Sequence, residues 1–352
     1  LTAASRQIFL RLGVWSTMTG LGVSPFSRMQ VWDAGGSGSI RFDAADIGEP
    51  QLGHIVENRI MQRALLARAR EIGGIALHCP ASLASLTPNP ASIRIGLSDG
   101  TVLEARLVVG ADGATSRVRQ LAGIDTRGWG YDQHALVATV TTGRSHEETA
   151  WQRFLPHGPL AFLPLRDGRS SIVWSTDPAR AERLLRLPDA EFMGQLAEAF
   201  DWRLGAVTAV EGRAAFPLRL QHAVSYIAPR VALIGDAAHV IHPLAGQGVN
   251  LGLLDAAALA ETVHDAAVAG GDIGAPRVLR RYERWRKGDN LQMMLAMDGF
   301  KRLFGSGMPP LRLARNLGLD LADAATPLKN AIIRRAMGLR GDLPRLARQA
   351  YI

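Results

Sequence analysis

The sequence contains almost no cysteine. Cys79 is the single cysteine among 352 residues, so the chain cannot form an internal disulfide. Its first residues lack the basic, apolar and small-residue order of a secretory signal. The most apolar region, residues 231–259, is interrupted by ionisable side chains before it reaches the roughly 18 apolar residues of a spanning helix. These absences predict a cytoplasmic protein that is soluble or peripheral at a membrane.

Charge is not concentrated in any one stretch. The formal net charge is +8, but the basic residues lie along helix faces or alternate with acids, as between Arg280 and Lys287. No nucleic-acid reader motif accompanies them, and we expect no nucleic-acid binding. Contact of this charge with a membrane surface or an acidic partner stays open. With 47% hydrophobic and 20% charged residues, the composition is typical of a globular protein.

Motifs of nucleophilic and metal-dependent enzymes are also lacking. There is no Gly-x-Ser-x-Gly elbow, and Cys79, which precedes Pro80, is better explained by packing than by catalysis. His239 and His242 stand three residues apart, but Pro243 follows them and no further ligand lies at metal-binding spacing. We therefore expect no metal and interpret both histidines as turn residues.

What is present is a mixture of helix and strand patterns. Glycine-rich turns at the carboxyl ends of apolar strands indicate an α/β nucleotide-binding domain interrupted by a β-rich domain. Apolar periodicity predicts helices over about 3–12, 57–70, 189–200 and 248–268, and through most of the chain after 277. Strands are predicted within 28–57, over 75–78, 92–97, 102–109 and 231–234, and through most of 134–224, with a hairpin turn at Asp99-Gly100.

The strongest functional signal is VALIGDAAHVIHPLAGQGVNLGLLDAAALA, from Val231 to Ala260. An apolar strand ends at Gly235, and Asp236 follows where the chain leaves the sheet. Its carboxylate is placed to accept hydrogen bonds from a polyhydroxyl chain such as ribose or ribityl. The alternative is that these glycines only make a tight strand-to-helix turn, with Asp236 as a cap.

The loop and helix after this turn suit a flat, negatively charged ring. The His242-Pro243 step fixes an extended approach, and glycines beyond it let the backbone come close to such a ring. Unpaired amides in the first helical turn, with the positive end of the helix dipole, favour negative charge, as on the pyrimidine edge of a reduced flavin. The predicted flavin contacts here are Pro243, Gly246, Gln247, Gly248, Val249 and Asn250.

A second motif, RLVVGADGATSRVRQLAGI, covers residues 106–124. An apolar strand ends in a polar turn at Asp112-Gly113, and a short basic helix containing Arg119 follows. This geometry can present backbone amides and a carboxylate to a dinucleotide. A strand followed by Asp-Gly is, however, often only a turn.

These segments resemble the ubiquinone-biosynthesis hydroxylases, a group of class A flavoprotein aromatic monooxygenases with a p-hydroxybenzoate hydroxylase-like fold. HPLAGQGVNLGLLD, at residues 242–255, matches their signature, and Gly235-Asp236 matches the GD motif of the wider class. Asp112-Gly113, with Ser116 and Arg119, matches its DG motif. Shorter similarities extend over nearly the whole chain and look closest to the ring C5 hydroxylase of a polyprenylphenol. The resemblance also places an FAD-contacting polar residue at Asn58.

The resemblance breaks at one place. Members of this family begin with a strand, a GxGxxG turn and a helix that bind the FAD pyrophosphate. Neither Gly35-Gly36 nor Gly73-Gly74 has the spacing or the strand context to replace that turn. By analogy, about 45 to 50 residues would precede this sequence. We therefore expect the chain as given to be free of flavin and inactive by itself.

The family implies a specific reaction and specific partners. NADPH or NADH would reduce FAD, and the reduced cofactor would activate dioxygen to hydroxylate a polyprenylated phenol. Other ubiquinone-biosynthesis proteins and peripheral contact with the inner membrane are further expected partners. No side chain can be named as an acid or base. Two alternatives stay open, a flavin hydroxylase or halogenase of a soluble aromatic compound and a non-catalytic scaffold of a biosynthetic complex.

The predicted fold class is α/β. A Rossmann-like FAD domain, N-terminally incomplete, is interleaved with a β-sheet substrate domain and followed by a C-terminal helical region. Methionines and phenylalanines between Gln292 and Phe304 share one helical face, which indicates core packing or a surface that receives the prenyl tail. The predicted bounds are 1–27, 53–125 and 226–290 for the FAD domain, 28–52 and 126–225 for the substrate domain, and 291–352 for the helical region.

Overall fold

The structure, a computed structural model, describes residues 1–36, 38–241, 246–305, 326–339 and 341–349. None of the helices in these ranges combines the length and the apolar character that crossing a bilayer requires. The helices are α1 (Ala3–Arg11), α2 (Trp15–Gly22), α3 (Asn58–Glu71), α4 (Arg117–Leu121), α5 (Pro178–Arg186), α6 (Asp189–Ala199), α7 (Gly248–Val268), α8 (Pro276–Gly305) and α9 (Thr326–Ala336).

The strands form four separate sheets in the described ranges, of which the largest has eight strands. The strands are β1 (Ser24–Phe26), β2 (Arg28–Asp33), β3 (Ser39–Asp43), β4 (Gly53–Ile55), β5 (Leu83–Pro88), β6 (Ile93–Leu97), β7 (Val102–Ala105), β8 (Val108–Gly110), β9 (Thr126–Thr142), β10 (Thr149–Leu155), β11 (Gly158–Pro164), β12 (Ser170–Thr176), β13 (Val207–Ala223), β14 (Ile227–Ala228), β15 (Val231–Leu233) and β16 (His239–Val240).

The eight-stranded sheet has the order β16-β13-β9-β12-β11-β10-β2-β3. Because successive side chains of a strand point to opposite faces, large apolar residues at every second position gather on one face. Phe162 of β11 and Trp174 of β12 lie on that face and are almost fully buried. Helix α6 covers them with Phe192 and Leu196, which belong to the same core cluster. The opposite face is therefore left for other contacts.

A three-stranded sheet of order β14-β15-β8 lies beneath the principal glycine-rich turn. Strands β15 and β8 are parallel, and Leu233 pairs with Gly110 at their carboxyl ends. A Cβ atom on Gly110 would lie 2.7 Å from a Leu233 side-chain carbon, so a larger residue there would force that side chain to shift. Tyr282 of α8 donates a hydrogen bond of 2.7 Å to the Leu233 carbonyl and ties the C-terminal helix to the strand. Both predicted motifs thus start from neighbouring strands.

The mixed α/β class and most predicted elements are confirmed. Helix α7 has the predicted bounds, and β6 and β7 form the predicted hairpin around Asp99-Gly100. Residues 75–78 were wrongly predicted as a strand, because Ile75 and Leu77 are about half exposed and pair with no strand among the described residues. The run 102–109 is divided between two sheets, and β5 and α5 were not predicted.

The predicted domain bounds stay a prediction. Strands of the proposed substrate segments, from β2 to β3 and from β9 to β13, do share the eight-stranded sheet. Strand β16, from a segment predicted for the FAD domain, joins that sheet as well. The methionine face of α8 contributes Met294, which is buried against Leu218 and Leu220 of β13. That residue is therefore part of the core.

Candidate active site

The turn after β15 is built by close backbone contact. Gly235 has a φ of +57°, a left-handed conformation that favours glycine. A Cβ atom on Gly252, one turn into α7, would lie 3.1 Å from the Gly235 Cα atom. The two glycines therefore let the helix pack directly against the turn. Asp236 is carried on the outer side of this turn.

The Asp236 carboxylate is exposed and has no hydrogen-bond partner in the described parts of the chain. Loss of hydration beside the surrounding protein raises its pKa, while the neighbouring His239 and Arg219 act in the opposite direction. An ionised carboxylate that lacks donors gains when a ligand supplies them. The geometry therefore fits the predicted role of binding ligand hydroxyl groups.

A buried ionic network, which the sequence did not predict, holds this turn from below. Asp255 of α7 is fully buried and accepts hydrogen bonds from the Gly235 amide at 3.1 Å and Arg286 Nε at 2.9 Å. His239 Nε2 lies 2.6 Å from the same carboxylate, and Asn290 donates to it at 3.0 Å. Burial acts to raise the pKa of Asp255, but these partners lower it overall. His239 is therefore more than the turn residue that we predicted.

The first turn of α7 contains main-chain amides that have no acceptor in the described parts of the chain. No acceptor is recorded for the amides of Gly248, Val249 and Asn250 within the described ranges, and Gln247 provides no side-chain cap. This is the end of a helix where the dipole is positive. The predicted contact Pro243 lies outside the described residues. The predicted cradle stays a prediction, with these amides as its donors.

The Asn250 side chain, in contrast, is occupied inside the protein. Its oxygen accepts hydrogen bonds from the Thr2 amide at 3.0 Å and the Ser5 hydroxyl at 2.7 Å. Its nitrogen donates to the Gly246 carbonyl at 3.1 Å, and Gly246 has a φ of +60°. Asn250 thus fixes the loop before α7 to the start of α1. A ligand would therefore contact this residue through its main-chain N–H.

The second motif, at Asp112-Gly113, is held together by hydrogen bonds within the chain. The Asp112 carboxylate accepts hydrogen bonds from the Ser116 hydroxyl and the amides of Arg117 and Val118, and so caps α4. Burial acts to raise the pKa of Asp112, but these donors lower it overall. Gly113 has a φ of +80° in the same turn. The carboxylate is therefore used within the chain.

Arg119 connects the two glycine-rich turns. Its side chain is buried and donates hydrogen bonds of 2.8 Å to the Ala237 carbonyl and 2.9 Å to the Ala114 carbonyl. Because Ala237 directly follows Asp236, this guanidinium holds the backbone of the turn that carries Asp236. Asn58, by contrast, is exposed at the start of α3 and does not line the cavity described next.

A largely apolar cavity of about 310 Å³ lies between the start of α7 and the eight-stranded sheet. Gly246, Gln247 and Asn250 line one side, and Ile333 and Met337 of the α9 region close one end. The sheet contributes the face opposite to the Trp174 core. That wall combines small or polar side chains with the larger apolar Met29, Phe42 and Leu163; the small or polar ones are Ala150, Gln152, Pro159, Ala161, Val173 and Ser175. The volume lies at the lower end of small-molecule sites.

The site residues thus fall into connected groups. Gly246, Gln247 and Asn250 meet at the cavity, and the adjoining amides of Gly248 and Val249 extend the same helix end. Asp236 and Gly235 do not line this cavity, so the predicted contact of the Asp236 carboxylate with a ribityl chain stays a prediction. Sequence reasoning missed the Asp255 network, for which the only signal was an acidic residue within an apolar helix.

Known proteins match the chain over nearly its whole length. The family described as FAD binding domain matches residues 5–294. The 3-demethoxyubiquinol 3-hydroxylase of Escherichia coli (strain K12) is 40% identical over 339 residues, covering 96% of this chain and 86% of that protein. The mitochondrial ubiquinone biosynthesis monooxygenase COQ6 of Homo sapiens is 36% identical over 380 residues, covering 95% and 80%.

Solved structures share the fold at lower sequence identity. The p-nitrophenol 4-monooxygenase PnpA from Pseudomonas putida DLL-E4 has a TM-score of 0.76 at 18% identity, covering 94% of this chain and 86% of its own. HpxO of Klebsiella pneumoniae, complexed with FAD and uric acid, has a TM-score of 0.73 at 17% identity, covering 95% and 87%. These similarities confirm the fold class that the sequence predicted.

Proposed function

Because the chain belongs to the FAD binding domain family and is an FAD-dependent aromatic monooxygenase, we propose that it hydroxylates the ring of a polyprenylated phenol in ubiquinone synthesis. FAD is the cofactor, and NAD(P)H is the co-substrate typical of this family. The ring position, contacts with other biosynthetic proteins and contact with a membrane surface stay predictions.

The observation that carries this proposal is the cavity between α7 and the sheet. One side presents main-chain donors at a helix start, and the other presents small side chains that leave room for a flat ring. The remaining lining, which includes Phe26, Met29 and Phe42, is apolar apart from Thr2 and suits an aromatic substrate with a hydrocarbon tail. An apolar enclosure also keeps water from the reacting centre.

The roles of the protein's own groups follow from their positions. FAD supplies the activation of dioxygen when it is bound. Asp236 accepts hydrogen bonds from ligand hydroxyl groups, and the amides of Gly248 to Asn250 stabilise negative charge on a bound ring. Arg119 and Asp255 hold the backbone of the turn that carries Asp236. We assign no side chain as acid or base.

The proposal is tested with NADPH, a geranylated phenol and the FAD-loaded enzyme, which includes the N-terminal FAD-binding segment that the family resemblance predicts. We expect the phenol to stimulate NADPH oxidation and oxygen uptake, and mass spectrometry to find a product with one added oxygen atom. Stimulated oxidation without that product, or no stimulation at all, would contradict the proposal. Partner binding without turnover would favour the scaffold alternative.

A matched phenol without the tail distinguishes a polyprenylated substrate from a soluble aromatic one. Each buried methylene stabilises a complex by about 0.8 kcal/mol, so a geranyl tail in an apolar cavity should raise kcat/KM by at least roughly tenfold. Equal kcat/KM values for the two phenols would instead favour a soluble aromatic substrate.

A further inference from the structure

Two polar side chains on the sheet wall of the cavity have no hydrogen-bond partner in the part of the protein that the structure describes. Gln152 of β10 is 7% exposed and Ser175 of β12 is 1% exposed, and both line the cavity. Neither side chain forms a hydrogen bond within the described ranges. The polar atoms of both side chains are still not fully sealed from solvent. Their polar atoms therefore face the cavity space.

Such groups are costly unless something in the cavity binds them. A buried polar group without a partner costs about 1–3 kcal/mol. The neighbouring positions on this wall are Ala150, Pro159 and Ala161, which carry no polar side-chain atom. A wall that served only to pack a hydrocarbon would be expected to continue that pattern. Gln152 and Ser175 are therefore placed to form hydrogen bonds with a ligand in the cavity.

The sheet register fixes the separation of the two groups. Gln152 pairs with Ala161, and Ala161 pairs with Val173, which stands two residues before Ser175 on β12. Two strand spacings and a rise of two residues place the Cα atoms of Gln152 and Ser175 on the order of 12 Å apart. Because side chains stand roughly perpendicular to a sheet, the polar atoms stay similarly far apart. One ligand oxygen cannot bond to both.

A ring with oxygen atoms at opposite positions has the required length. Such a ring, with one hydrogen bond of about 2.8 Å at each oxygen, spans on the order of 11 Å. We propose that Gln152 and Ser175 are specificity-determining residues that hold a substrate ring of the hydroquinone type by its two opposite oxygens. This inference rests on the proposed function, since it names the substrate class of that same cavity.

The test compares two probes that differ in one oxygen, a geranylated hydroquinone and the matching geranylated phenol. Their dissociation constants for the oxidised, FAD-loaded enzyme are measured without oxygen, from the perturbation of the flavin absorption spectrum. We expect the hydroquinone to bind roughly tenfold more tightly than the phenol, because it makes one more hydrogen bond.

The substitutions Gln152→Met and Ser175→Ala each remove one polar group with little change of volume. Each should weaken binding of the hydroquinone roughly five- to tenfold, to about the affinity of the phenol. Ser175→Thr, which keeps a hydroxyl group, should retain the preference for the hydroquinone over the phenol. Ser170→Ala is the matched control, because Ser170 is a fully buried serine of the same strand that does not line the cavity. It should leave both dissociation constants unchanged.

Equal binding of the two probes by the unaltered enzyme would overturn the inference, and so would an unchanged preference in both variants. Flavin content and melting temperature show whether each variant is folded. Turnover is measured separately with NADPH and oxygen. Hydroxylation of a probe together with unchanged preferences would overturn only the role of Gln152 and Ser175. Hydroxylation of neither probe would overturn the proposed function and this inference with it.

Discussion

The negative charge of Asp236 is disfavoured in the folded protein, as is common for ligand-binding residues. Its pKa is raised in the folded protein, so the ionised form is less favourable there than in the unfolded chain. For a carboxyl group whose pKa is raised by folding, the protein is most stable below the pKa of the unfolded chain. It loses stability as the pH rises through the pKa of the folded protein.

Asp236→Asn should therefore have opposite effects on stability and on cofactor binding. At neutral pH the cofactor-free variant should melt at a higher temperature than the unaltered protein, and the difference should vanish in acid. Its affinity for FAD should fall by roughly tenfold or more, since one charged acceptor is lost. Asp99→Asn, in an exposed hairpin turn, is the control and should leave FAD affinity unchanged. A variant that binds FAD normally would remove Asp236 from the site.

Asp255 has the opposite behaviour, because the protein stabilises its charge. Its pKa is lowered by His239, Arg286 and Asn290 against the effect of burial. The contribution of Asp255 to stability is therefore complete above 3.8, the ordinary pKa of an aspartate, and is lost as the pH falls through the lower pKa of the folded protein.

Asp255→Ala should destabilise the protein by about 3–5 kcal/mol, because Arg286 and the Gly235 amide would be left buried without their acceptor. Urea unfolding at neutral pH measures this loss. The difference in unfolding free energy between the unaltered protein and the variant should shrink in acid. A variant within about 1 kcal/mol of the unaltered protein would show that the network does not support the turn.

At the scale of elements, the contact of α7 with the turn at Gly235 depends on the absence of side-chain atoms. Gly252→Ala should destabilise the protein by about 1–3 kcal/mol, because the added Cβ would meet backbone that cannot easily move. It should also weaken FAD binding. Both are measured by urea unfolding and by flavin fluorescence titration.

Gly288→Ala provides the control for this substitution. Gly288 is also helical, within α8, but an added Cβ there would meet nothing within 4 Å. Alanine is favoured over glycine inside a helix, so this variant should gain about 0.5–1 kcal/mol and leave FAD binding unchanged. Equal effects of the two substitutions would contradict the close packing of α7 on the turn.

At the scale of the whole molecule, the sequence was informative where local pattern decides structure. The bounds of α7 follow from its glycine-rich start and alanine-rich run, and the hairpin follows from Asp99-Gly100. Residues 75–78 have a strand-like composition but do not pair, because pairing depends on a partner elsewhere in the chain.

The parts of the site that depend on distant contacts were not predictable. Asp255 and Arg286 come from different helices, and no local period shows that they meet. Gln152 lies in a strand whose sequence, TAWQRFL, gives no sign that its polar residue faces a cavity. The role of Asp112 as a helix cap likewise emerged only from its three donors.

A crystal structure of the FAD-loaded protein tests the central claim most directly. We expect the pyrimidine edge of the flavin within about 3 Å of the amides of Gly248 to Asn250, with the ring facing the sheet wall that carries Gln152. A flavin ring bound outside this cavity, with those amides bonded to other groups, would contradict the assignment of the site.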